Sequence, residues 1–233
     1  MAQIIVTATR LNQKAFEVDS PLGRSLRSAG QVLPMLLHAF FENTRPLGEC
    51  YNEAIDAAKP EDILLFVHDD VWIDDWMMGW RVQEALSHFD VVGVVGNRRR
   101  QPGQETWYLT PGEMVDGAWS HNAFDSDWLS GLIFHGDPNN RSVSNYGPVP
   151  QLVQLIDGVF MAAKASTLQL AGLRFDPSLG FHFYDLDFCR CAIDKNLKIG
   201  TWPIAVTHKS GGGSVRSDGW RMARERYFEK WGG

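Results

Sequence analysis

The sequence predicts an α/β domain with a mainly parallel central sheet flanked by helices, on three observations. Short apolar runs alternate with stretches of helical spacing over the first hundred residues, and strands joined by helical crossovers run parallel. The run Ile63-Leu64-Leu65-Phe66-Val67 is continuously apolar, which suits a strand covered on both faces. It leads straight into His68-Asp69-Asp70, and in open α/β sheets ligands bind outside the carboxyl ends of the strands.

In chain order, residues 3–9 read as a first strand ending near Thr7. Ser20-Pro21-Leu22 starts a helix, with Ser at the N-cap and Pro at the first helical position. Residues 32–41 form a second apolar run. Leu47, Tyr51, Ala54 and Ile55 then recur at helical spacing around Asn52. After the strand at 63–67, Asp74-Asp75 opens a helix through Phe89, with Asp74 as its cap, and Val91 to Gly96 is a fourth buried strand. From 97 to 150 the pattern breaks into Gly, Pro, Asn and Asp with scattered aromatics, which predicts loops and short strands, some as hairpins. A segment this long inside one domain is usually functional. Apolar character resumes over 151–163 around Asp157-Gly158. Short helices at 164–170 and 183–195 follow, then a last strand over 198–206 that ends at Thr207-His208. A flexible Gly-rich loop at 210–214 precedes a terminal helix from Asp218 to Trp231.

The 233 residues are read as a single domain, and a composition of 44% hydrophobic and 21% charged residues is enough for a sizeable core. A net charge of −6 and one short basic run, Arg98-Arg99-Arg100, argue against nucleic acid as a partner. Cys50, Cys189 and Cys191 lack zinc-ligand spacing and read as reduced thiols of a cytoplasmic protein. No apolar run approaches a membrane span, which leaves peripheral membrane contact as the one membrane role. Nine tryptophans are many for this size, and Trp107, Trp119 and Trp128 fall in the irregular middle, as core, as a lid or as faces for sugar rings.

Three clusters carry chemistry: His68/Asp69/Asp70, Asp185/Asp187 and His208. In the first, one carboxylate suits Mg²⁺ or Mn²⁺ carrying a diphosphate, because such ions keep waters and take only one or two protein carboxylates. His68 is placed to hydrogen-bond ribose or phosphate. In the second, two helical residues at i and i+2 lie about 200° apart, so only one faces a given pocket. Asp185 is either a general base for a hydroxyl or the N-cap of its helix. His208 ends a buried strand beside a Gly-rich loop.

In this order and spacing the clusters resemble the GT-A (Rossmann-like) nucleotide-sugar glycosyltransferases, family 2-like, in particular the bacterial group with His-x-Asp in place of Asp-x-Asp. The segment 43–55 is similar to the helix before the metal motif, and His68-Asp69-Asp70 to the motif itself. Asp157-Gly158 is similar to the turn before the acceptor-side helix. Phe175-Asp176-Pro177 and then Phe183-Tyr184-Asp185-Leu186-Asp187 are similar to the segment holding Glu-Asp-x-Asp, with Tyr184 in place of the Glu. The resemblance implies a nucleotide-binding half, 1–100, and an acceptor-binding half, 101–233. It implies Asp185 as catalytic base, metal at Asp70 and His208, and a donor site of Thr7, Asn52, His68, Asp69, Asp70, Asp157 and Gly158.

The implied activity is inverting transfer of a sugar from a nucleoside-diphosphate-sugar donor to a hydroxyl of a glycan or glycolipid. The implied cofactor is Mn²⁺ or Mg²⁺, and the setting is bacterial surface polysaccharide synthesis. Two rivals remain: a sugar nucleotidyltransferase, which wants a Gly-rich phosphate loop where Ala8-Thr9-Arg10-Leu11 supplies only Arg10, and a degenerate domain that binds a glycan or partner.

Overall fold

The computed structural model describes residues 1–32, 34–112, 114–115, 118–119, 123–209 and 217–232. The apolar run forms the strand Ile63–Val67, buried at every position. It pairs parallel with Gln3–Ala8, which pairs parallel with Leu36–Phe40. Ser20 caps the helix Pro21–Ala29, its hydroxyl oxygen accepting the Gly23 amide at 2.9 Å. The helix Leu47–Ala57 buries Leu47, Tyr51, Ala54 and Ile55 as its spacing requires. Tyr51 meets Phe66 and Phe175 at ring distances of 4.8 and 5.1 Å, and Phe175 stacks on Phe188 at 4.2 Å. Burying each such ring contributes about 1.5–3 kcal/mol, and this aromatic cluster underlies the site.

The expectation of a mainly parallel sheet is corrected. The first sheet has seven strands, in the order Gln151–Val153, Ile199–Thr201, Val91–Gly93, Phe160–Lys164, Ile63–Val67, Gln3–Ala8 and Leu36–Phe40. Phe160–Lys164 inserts antiparallel to both of its neighbours, and Gln151–Val153 is antiparallel at the edge. A parallel partner needs a long crossover. Phe160–Lys164 instead follows the short turn at 157–159 after Leu155–Ile156, with no helix between.

A second sheet runs Leu155–Ile156, Val95–Asn97, Leu129–Asp137, Val206–His208 and Val71–Ile73, with Asn140–Gly147 hairpinned on Leu129–Asp137. Two strands expected to be single are therefore split between sheets. Val91–Gly93 and Val95–Asn97 are both buried, so the apolar run shows no break in sequence. Between Ile199–Thr201 and Val206–His208 lies Pro203, which has no N–H for a ladder.

The helix expected over 74–89 is shorter, Met78–Ala85, and Asp74 is not its cap. Asp74 instead accepts from Arg141 Nη1 and from the Thr207 hydroxyl, both at 2.6 Å, while Asp75 Oδ1 accepts the Met77 amide at 2.9 Å. Among the described residues no helix is long and apolar enough to cross a membrane. The terminal helix Asp218–Trp231 forms as expected, capped by Ser217. The Gly-rich loop at 210–214 lies outside the described residues.

Candidate active site

The backbone of the motif after Ile63–Val67 is clamped by three elements. His68 N–H donates to the Val159 carbonyl at 3.2 Å, and the Asp70 carbonyl accepts Lys209 N–H at 2.9 Å. The Asp69 carbonyl accepts the Ser20 hydroxyl at 2.9 Å and Leu22 N–H at 3.1 Å, so the capped helix start also holds the motif. Val206–His208 runs antiparallel to Val71–Ile73, which sets His208 opposite Val71 and beside the motif.

His68, Asp70 and His208 thereby converge, each offering one ligand atom within 4.8 Å of the others. His208 Nε2 lies 3.2 Å from Asp70 Oδ2. One divalent ion, with ligand bonds of about 2.0–2.3 Å, suits a trio of this size, and two imidazoles plus a carboxylate leave positions open for other oxygens. The donor set therefore fits a metal. Burial pushes the His68 pKa down, against the pull of Asp70. In His208 burial acts the same way, but the hydrogen bond and charge of Asp70 outweigh it and the pKa is raised.

The other wall is the start of the helix Tyr184–Asp194. Its N-cap, Phe183, stands in the left-handed region at φ 60°, a conformation that costs about 1–3 kcal/mol and is over-determined by ring packing on Tyr227 at 5.2 Å and Trp220 at 5.5 Å. The Tyr184 hydroxyl meets His68 Nε2 at 2.6 Å and fixes that ring. Gly158 makes this possible, since a Cβ there would lie 2.0 Å from the Tyr184 oxygen.

Asp185 Oδ2 accepts the Gly158 amide at 3.0 Å and Oδ1 accepts the Leu186 amide at 2.9 Å. Burial and the nearby Asp157 charge outweigh these amides and push its pKa up to about 7. Asp187 points elsewhere: it is fully buried and accepts from Trp231 Nε1 at 2.6 Å and Lys230 Nζ at 2.8 Å, tying down the terminal helix.

His68, Asp70, Asp157, Asp185 and His208 all line one cavity of about 550 Å³. A neighbouring cleft of about 980 Å³ is lined by Thr9, Arg10, Asn43, Arg45 and Asp69, and Phe181 borders both. Burial raises the Asp69 pKa, against a hydrogen bond with the Thr9 side chain.

Two of the residues expected at the donor site are placed away from both cavities. Thr7 is fully buried within its strand. Asn52 uses both ends of its amide on the Phe175 backbone, at 2.8 and 2.9 Å, and so braces the aromatic cluster. Gly158 contributes backbone only. Sequence reading missed Tyr146, His135, Phe181 and Arg45 as lining residues. His135 carried no local signal, because what brings it to the cavity is its parallel register with His208.

No family model matches the sequence, and no curated protein matches it. Among solved structures, A197 from STIV is similar over 87% of this chain and 82% of that one, at 12% identity and a TM-score of 0.47. The structure of GalNAc-T7 with UDP, GalNAc and Mn²⁺ is similar over 97% of this chain, at 12% identity and a TM-score of 0.51. This chain spans 47% of the length of that one. In architecture, then, the chain is an α/β domain similar to the fold of a GT-A glycosyltransferase.

Proposed function

We propose that the chain is an inverting glycosyltransferase that moves a sugar from a nucleoside-diphosphate-sugar to a hydroxyl of a glycan or glycolipid, in bacterial surface polysaccharide synthesis in the cytoplasm. The observation that carries this reading is the meeting, in one cavity, of a chelating trio and a buried carboxyl poised near neutrality. The adjoining cleft has the size for a nucleotide, with Asp69, Thr9, Arg10 and Asn43 as its polar contacts.

His68, Asp70 and His208 would hold a divalent ion, Mn²⁺ or Mg²⁺, which when bound would supply positive charge against a leaving diphosphate. Asp185, ionised above about pH 7, takes the proton of the acceptor hydroxyl as its oxygen attacks the anomeric carbon. Tyr184 holds His68 in place, and the Gly158 amide aims Asp185. Fixing donor and acceptor in line supplies on the order of 7–11 kcal/mol where alignment is good.

The test is thermal stabilisation by a panel of nucleoside diphosphates and their sugars, with and without Mn²⁺, in wild type and Asp70→Ala. Metal-dependent stabilisation by one nucleotide, lost in the variant, is expected. Absence of any response from folded protein overturns the reading in favour of a domain that only binds a glycan or partner.

A further inference from the structure

The cavity that holds Asp185 differs in character from the cleft beside it. The cleft carries two guanidinium groups, Arg10 and Arg45. Among the described residues that line the Asp185 cavity there is no Lys or Arg, and its acidic side chains are Asp70, Asp157 and Asp185. Much of the remaining wall is aromatic.

These rings come from separate elements, and their backbones are fixed. Tyr108 and Phe124 lie 5.6 Å apart on two short segments joined by an antiparallel bridge between Leu109 and Phe124. The Asp125 amide donates to the Tyr108 carbonyl at 3.0 Å, and the Thr110 amide to the Ala123 carbonyl at 2.9 Å. Asp125 is itself gripped by Asn97 Nδ2 and Arg99 Nε, each at 2.9 Å. Phe124 is nonetheless 60% exposed. Trp220 comes from the terminal helix, where Ser217 Oγ accepts its amide at 3.1 Å and its ring packs on Phe183 at 5.5 Å. An exposed ring on a braced backbone adds nothing to a core, whereas ligand sites are typically lined by such rings with a few polar groups among them.

The polar groups here include the Tyr108 and Tyr146 hydroxyls, the His135 ring and Asp157. Burial, with the Asp157 charge adding to it, holds both tyrosines above their ordinary pKa, so both stay protonated and can donate. Rings alone would suit a lipid chain, but rings interleaved with neutral donors and acceptors suit a pyranose. One face of a pyranose is a set of C–H groups that packs on aromatic carbon, and its edge is a set of uncharged hydroxyls. A phosphate or carboxylate in the same place would lose its water, meet no Lys or Arg of the described wall and stand against Asp157 and Asp185.

Resting on the reading of Asp185 as base, we propose that this cavity takes an uncharged sugar ring as acceptor, its C–H face on Tyr108, Phe124 and Trp220 and a hydroxyl toward Asp185. Acceptors that carry a phosphate or carboxylate at that ring, such as lipid phosphates and uronic acids, are excluded. Attraction comes from the rings and discrimination from the carboxyls, so the two are separable by substitution.

Saturation-transfer NMR tests this on the full chain kept free of divalent ions, so that no anion is drawn to a bound metal. The probes are the methyl glycosides of glucose, galactose and mannose, the methyl glycosides of the matching uronic acids, and the same neutral glycosides carrying a 6-phosphate. At least one neutral glycoside is expected to bind, with its charged counterparts weaker by about tenfold or more. Phe124→Ala and Trp220→Ala should each weaken the neutral glycoside on the order of fivefold, and Phe124→Trp should keep it. Asp157→Asn should narrow the gap between a neutral glycoside and its uronide.

A uronide or phosphate that binds wild type as tightly as its neutral counterpart overturns the proposal. So does binding untouched by both alanine variants, or no binding by any probe. If neutral glycosides bind as expected while no nucleoside diphosphate stabilises the chain, the sugar site stands and the transferase reading falls. If the nucleotide response appears while charged and neutral rings bind alike, the transferase reading stands and the uncharged acceptor falls.

Discussion

The two sheets divide the work unequally. The centre of the seven-stranded sheet is dry: Ile63 to Val67 and Phe160 to Ala163 are at most 1% exposed. The second sheet carries polar groups into its interior, with Asn97, Ser130 and Thr207 buried and His135 and His208 on neighbouring strands. Stability resides mainly in the first sheet, whereas the second holds side chains at fixed angles to the motif that the first delivers. Damage to the one should show as lost folding, and damage to the other as lost chemistry in a folded chain.

The largest effect should come from the dry sheet. Leu65→Ala leaves a void under a fully buried side chain and should cost about 2–5 kcal/mol in urea unfolding; a loss below about 1 kcal/mol would contradict the division. Next is the pH dependence set by Asp185. Its folded pKa of about 7 lies above the ordinary carboxyl value of 3.8, so the folded state binds the extra proton between those limits. Stability attributable to Asp185 is full below about pH 4 and is lost as pH rises through about 7, on the order of 4 kcal/mol in all. Subtracting the Asp185→Asn profile from wild type should isolate that slope, and superimposable profiles would refute the buried-acid assignment.

Asp70→Ala should weaken Mn²⁺ binding by about a hundredfold, the upper end of what even outer partners of a ligand cost, while leaving the unfolding midpoint of metal-free protein nearly unchanged. Calorimetric titration with Mn²⁺ checks this; undiminished affinity would remove Asp70 from the trio. The smallest effect is expected at Thr207, whose hydroxyl donates to Asp74 at 2.6 Å and accepts from Arg141 at 3.0 Å. Thr207→Val should cost about 1–3 kcal/mol and, because His208 is the next residue, should also loosen metal binding. If stability alone fell, the second sheet would be holding fold rather than geometry.

The same division decides what could be read from the sequence. Ile63–Val67 was legible because a strand covered on both faces is apolar throughout, and Ser20-Pro21 because capping chemistry is local. Of Asp185 and Asp187, helical geometry alone required one to leave the pocket, and the structure turns Asp187 away. The second sheet was mostly hidden because Val71–Ile73, Val95–Asn97 and Val206–His208 have three residues each, too few to show a period of two. The Asp74 error has the same origin: Asp beside a helix start satisfies the capping rule, but its partners, Arg141 and Thr207, are far away in sequence. The site residue His135 depends on a parallel register with His208, and Tyr146 on the irregular end of a hairpin, neither of which a local pattern encodes.

Gly158 constrains how this chain can change over generations. Neighbouring surface positions can drift freely, but a methyl group at 158 would displace the Tyr184 hydroxyl that steadies His68, and with it the amide that aims Asp185. A residue with no side chain thus ties the placement of His68 to that of Asp185. Any lineage that keeps Tyr184 against His68 and an amide on Asp185 should keep this glycine, and a lineage that has lost it should have lost both contacts together.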